Sequence, residues 1–183
     1  MTACCQRALS SVIRLVLRES PNKNMNETEI LKRSVSACGE RIKSLQYSLS
    51  KNRPVFPLSL GDIDTLSDDQ KESIDAFILR YTKCVSMIQD QLFKGILIAE
   101  QEDFKDKSTR DKTILMERLG AITSAIEFGV AAVLRNKFAH HYPEESADQI
   151  EKLNQLISES DFLISVFGSV TEYIESKKLL LAV

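Results

Sequence analysis

The sequence predicts an all-α fold, an up-down bundle of about four to five helices, and three observations carry that expectation. Only six glycines and four prolines interrupt 183 residues. No stretch alternates apolar and polar residues as a half-buried strand would. Apolar residues recur instead at steps of three and four, the period that lines up one face of a helix. A chain of this length buries a sizeable core and is read as one domain.

The first 24 residues stand apart in composition. Arg7, Arg14, Arg18 and Lys23 face a single acid, Glu19. A transit segment, an accessory helix or sequence upstream of a start at Met25 would each account for the bias, and the last is preferred. The expected organisation is an N-terminal extension over 1–24 and a single helical domain over 25–183. Asn26 and Glu29 have N-cap spacing, and Leu31, Val35, Cys38, Ile42, Leu45 and Leu49 form one face of a helix running to about Ser50. Pro54, Pro57 and Gly61 force a connection through Leu66, and its Val55, Phe56, Leu58 and Leu60 predict that it packs along the bundle.

Ser67 and Gln70 read as a capping box for a second helix, whose stripe is Ile74, Phe77, Tyr81, Val85, Ile88, Leu92, Ile96 and Ala99. Gly95 inside it costs about 1 kcal/mol relative to alanine and points to a close helix contact or a kink. Seven of the ten residues from Glu102 to Asp111 are charged, as in a solvated turn. Lys105, Lys107, Arg110 and Lys112 there are candidates for contact with a nucleic-acid backbone. A short helix to Leu119, closed by Gly120, follows. Ser124 and Glu127 then cap a helix carrying the small-residue stripe Ala125, Gly129, Ala132, Asn136 and His140, with Val130, Val133, Leu134 and Phe138 expected to anchor its other sides. Ile150, Leu153, Ile157, Ile164, Phe167, Val170 and Ile174 define a last helix to about Lys178, with a bend expected near 158–161.

Composition narrows the chemistry. The net charge of −2 gives no general attraction for nucleic acid, so RNA binding requires a local basic patch or two chains meeting. Cys4, Cys5, Cys38 and Cys84 contain no pair with metal-ligand spacing and read as structural thiols of a reducing cytoplasm. Arg14 interrupts the apolar run from Val12 to Leu17, and no other run is long enough to span a bilayer.

Chemistry-bearing residues concentrate in Arg135-Asn136-Lys137-Phe138-Ala139-His140-His141-Tyr142-Pro143. Arg135 offers a planar fork suited to phosphate, and His140 exchanges a proton near neutral pH. At roughly 100° per residue, Asn136 and His140 lie about 40° apart on one face and Arg135 about 140° from His140. Pro143 pushes Tyr142 out of the α region, just past the helix end. Residues of these types also cap helix carbonyls and balance the dipole, so their types alone leave both uses open.

Arg135, Asn136, His140 and Tyr142, as Arg-Asn-x-x-x-His-x-Tyr at the end of a helix, resemble the signature of the HEPN superfamily, and among its branches the HepT-type toxins. Ile74-Asp75-Ala76-Phe77, Arg80, Asp90 and Leu119-Gly120 extend the resemblance over 25–143. It departs at Phe128, where the family often carries tryptophan. The resemblance implies a metal-independent ribonuclease toxin, with tRNA a plausible target. Arg135 and His140 would be catalytic, Asn136 and His141 supporting, and Lys137 RNA-binding, with no metal and no cofactor. It further implies a minimal nucleotidyltransferase (MNT) antitoxin that adenylates Tyr142. The small-residue stripe points to a homodimer seam along the same helix. A non-catalytic nucleotide- or substrate-binding subunit of a minimal nucleotidyltransferase is the alternative.

Overall fold

The computed structural model describes residues 25–140 and 147–180, so expectations for the extension over 1–24, and for Cys4 and Cys5 within it, lie outside the described residues. Those residues form a packed helical bundle without strands. Helix α1 spans Met25–Asn52. Helix α2, Asp68–Met87, continues through a π-helical turn, Ile88–Leu92, into α3, Phe93–Ala99, as one unbroken rod. Helices α4 (Thr109–Arg118), α5 (Ala125–His140) and α6 (Ala147–Ser176) complete the bundle. None of the described helices is long and apolar enough to cross a membrane.

α1 and the α2–α3 rod pack antiparallel over their whole length. Buried Asn52 bonds the Ser73 carbonyl at one end, while Gly95 meets Leu31 and Ser34 at the other. Every residue of the α1 stripe from Leu31 to Leu49 is buried, as are Ile74, Phe77, Tyr81, Val85, Ile88, Leu92 and Ile96. At Gly95 an added Cβ would lie 3.3 Å from Leu31 Cδ1, so this glycine allows the close approach of the rods. α1 begins at Met25, which puts Asn26 inside the first turn rather than at its cap.

The π turn has a cause in the sequence. Buried residues recur in two rows at strict four-residue spacing, Cys84–Ile88–Leu92–Ile96 and Val85–Gln89–Phe93–Leu97. On a uniform α-helix each such step rotates by about 40°, and the rows would wind off the core. One wider turn cancels the drift.

The capping box at Ser67 and Gln70 is complete, and a second one, Ser108 with Asp111, opens α4. In the connection after α1, Leu58 is buried and Val55 and Phe56 pack against the core, but Leu60 is exposed. Asn154 of α6 both accepts from the Leu58 N–H and donates to its carbonyl, at 2.7 and 2.9 Å. α6 runs unbroken through 158–161. Its buried row uses Leu156 and Leu163, while Ile157 and Ile164 are half-buried. Adjacent apolar residues at both places made the phase ambiguous.

Candidate functional site

α5 is set in place at its N-terminal end and along its buried side. Ser124 Oγ accepts from the Glu127 N–H at 3.1 Å, Glu117 of α4 accepts from the Ala125 N–H, and Gly120 just upstream takes the left-handed φ of 77° that turns the chain out of α4. Phe128 and Leu134 are buried. Phe128 packs on Phe93 with ring centroids 4.9 Å apart, so the aromatic character of that position is kept in the core. Fully buried Tyr81 donates its hydroxyl to the Ala131 carbonyl at 3.0 Å, tying the α2 rod to the middle of α5.

One turn further on, Arg135 points inward. Its side chain is half-buried, and Nη2 donates to Gln89 Oε1 of the π turn at 3.0 Å. Nε is buried and has no partner among the described residues. No carboxylate among them forms an ion pair with this guanidinium. Among the described residues, Arg135 is therefore a cation held by a neutral amide, with no carboxylate in direct contact. Asn136 and Lys137 are exposed, as the difference of one and two residues from Arg135 requires. His140 closes the helix, while His141 and Tyr142 lie outside the described residues.

Other titratable groups near α5 are set by burial. Desolvation pushes the Tyr81 phenol far above its ordinary value, with Glu159 adding to the rise and Arg135 opposing it. The half-buried Glu159 carboxyl is raised by desolvation and then by Glu127. Cys38 and Cys84 are free and buried. Burial raises both thiols, that of Cys84 to about 12, which makes them inert packing groups.

One sequence expectation changes here. Val130 and Val133 do not anchor α5: they are 50% and 54% exposed, and Ile126 is 81% exposed. With Lys137 they form one outward row at steps of four and three, beside Gly129, whose Cβ position meets nothing within 4 Å. Lys112 lies over the Phe104 ring, and Lys105, Lys107 and Arg110 are exposed. Arg80 is not at the site. It bonds Ser48 and lies over Tyr47 in a separate cleft of about 500 Å³ between α1 and α2. Gln89 was missed because a polar residue beside Ile88 reads as the edge of the stripe. The four-residue spacing of its row is the signal that would have found it.

Comparison with protein-family models, with curated proteins and with solved structures finds no match for this chain.

Proposed function

We propose that this chain is a HepT-type HEPN ribonuclease that cleaves RNA without a metal ion. The observation that supports the reading best is Arg135: a half-buried guanidinium held by a neutral amide, without an ion-pair partner among the described residues, on the helix that His140 closes. RNA carries its own nucleophile in the 2′-hydroxyl. The protein has only to move a proton and to stabilise the charge that gathers on phosphorus. In this reading His140 moves the proton and Arg135 holds the phosphate. Asn136 and His141 support them, and exposed Lys137 meets the RNA backbone.

The working species is a homodimer seated on the outward row of α5. Three large apolar residues exposed on one helix form a self-complementary strip. A two-fold axis through an antiparallel α5 pair sets Val130 of one copy against Val133 of the other and Ile126 against the stem of Lys137. The pairing also brings the Lys137 side chains of both copies to the seam, a local positive charge that the net charge of −2 lacks. The protein acts in the cytoplasm. Its regulator is a minimal nucleotidyltransferase that adenylates Tyr142, placing a negative phosphate against Arg135 and a base where RNA would lie.

The test is incubation of the purified chain with total RNA in the presence of chelator, followed by sequencing of the new ends. Defined ends that vanish with Arg135→Ala and with His140→Ala support the proposal. Strict dependence on magnesium, or nucleotide binding without any cleavage, overturns it in favour of another chemistry or of a binding subunit. Co-expression with the transferase and peptide mass analysis tests the second half: an unmodified Tyr142 in a neutralised pair excludes adenylation there as the switch.

A further inference from the structure

We infer that Gln89, on the π turn between α2 and α3, is the positioning residue of Arg135: it fixes the direction of the guanidinium while leaving its charge available to an anion. The inference rests on the reading of Arg135 as a phosphate-binding group, and it adds a residue that the helix-end motif does not contain.

Gln89 is only 8% exposed, in a row whose other members, Val85, Phe93 and Leu97, are fully buried apolar side chains. A long polar side chain in such a row costs desolvation unless it is bonded, and its one side-chain bond among the described residues is the acceptance from Arg135 Nη2 at 3.0 Å. The same row meets α5 twice. Phe93 packs on Phe128, and Gln89, one turn earlier, reaches Arg135, two turns later on α5. The contact therefore has a rigid support on both sides, an aromatic pair and the Tyr81 bond to Ala131. The π turn, which contains Gln89 and ends at Leu92 just before Phe93, sets the rotation between these two contacts on the rod.

The choice of an amide matters. A glutamate at 89 would reach the same distance and pair with Arg135, cancelling the charge that an incoming phosphate needs. A purely packing residue would leave the guanidinium free to swing, still able to attract an anion but poorly aligned with the charge that develops in the transition state. Glutamine fixes the fork without neutralising it. Neighbouring Asp90 is exposed, so the carboxylate at this turn faces away from the contact.

Two variants separate charge from orientation, each measured in two ways. The first readout is titration of the full chain with inorganic phosphate, followed on the side-chain Nε–H resonance of Arg135. The second is RNA cleavage resolved into kcat and KM. Gln89→Glu should keep the fold and weaken phosphate binding about tenfold or more, with KM for RNA rising in parallel. Gln89→Met should change phosphate affinity by less than about threefold but lower kcat by about tenfold or more, as expected when an interaction made fully only in the transition state is misdirected. If both variants fold as the wild type and stay within about twofold of it in both readouts, Gln89 has no positioning role and the inference falls. If Gln89→Glu does not fold, Gln89→Met decides alone by its kcat. Failure of the nuclease reading looks different. A wild type that binds phosphate at Arg135 and loses it in Gln89→Glu, yet cuts no RNA, overturns the nuclease and upholds the inference. A wild type that binds no phosphate at Arg135 and cuts no RNA overturns both.

Discussion

The α1–α2 pair and helix α5 solve the problem of apolar surface in opposite ways. In α1 and α2, stripes at steps of three and four are buried almost to the last residue, and charged residues take the outer faces. α5 buries Phe128, Ala131 and Leu134 on one side and still presents Ile126, Val130 and Val133 on the other. A helix apolar on both sides is normally covered on both sides. The difference separates the two regions: the pair spends its apolar residues on the core of the bundle, whereas α5 leaves three large ones exposed, the row on which the proposed dimer is seated.

Substitutions can break that contrast from either side. The largest effect is expected at the end of α5, where Arg135→Ala or His140→Ala should lower RNA cleavage by about 10³-fold or more; circular dichroism and the melting curve should stay near those of the wild type in His140→Ala, whereas Arg135→Ala, which strips buried Gln89 of its bond, should also lower the melting temperature. Cleavage at wild-type rate in His140→Ala would remove the catalytic assignment. Phe77→Ala, in the fully buried α2 stripe, should show the reverse pattern. It should cost roughly 3–5 kcal/mol in urea unfolding, with activity lost only in proportion to unfolded protein. A cost below 1 kcal/mol would mean that the α1–α2 core tolerates a cavity and is not the stabilising half.

Intermediate in size is Val130→Glu. It should convert a dimer to a monomer in sedimentation at micromolar concentration without lowering the stability of the monomer, because the residue is half exposed already. A wild type that is monomeric under the same conditions would leave the outward row without its proposed occupant. The smallest effect concerns Glu159. Its folded pKa is raised, so its contribution to stability is complete below the unfolded value and is lost as pH rises through the folded one. Glu159→Gln should therefore raise the melting temperature at pH 7 by roughly 1–2 °C, after allowance for solvent screening, and the gain should disappear below about pH 4. A gain of equal size at pH 3 and pH 7 would exclude the carboxyl's ionisation as its cause.

The same contrast explains what the sequence disclosed. In α1 and α2 apolar and polar residues alternate with one clear phase, so the stripe from Leu31 to Leu49 and the box at Ser67 and Gln70 could be read directly. α5 offers apolar residues at nearly every position from Ala125 to Leu134, and no phase could be chosen. Val130 and Val133 were therefore assigned inward. In α6 the adjacent pairs Leu156–Ile157 and Leu163–Ile164 fit two neighbouring phases equally well, and packing decided between them. The angular offset of Arg135 from Asn136 and His140 was legible, but its inward turn and its partner were not, because α5 offers no single apolar phase and Gln89 lies on a π turn that helix periodicity does not encode.

The double bond of Asn154 to Leu58 has a consequence for chain statistics. A side-chain amide that answers both the N–H and the C=O of one residue acts as a one-residue neighbouring strand, and it pins the α1–α2 connection near its middle. One long link thus becomes two short ones. The segment between Arg53 and Leu66 is consequently anchored to α6 without any regular ladder of its own. Because loop-closure entropy grows only slowly with length, insertions on either side of Leu58 are thermodynamically mild so long as the pinned residue keeps its place. In hydrogen exchange the Leu58 amide, on a buried residue, should accordingly be the slowest of the segment, ahead of those bonded within its short turns at Phe56, Asp62, Thr65 and Leu66.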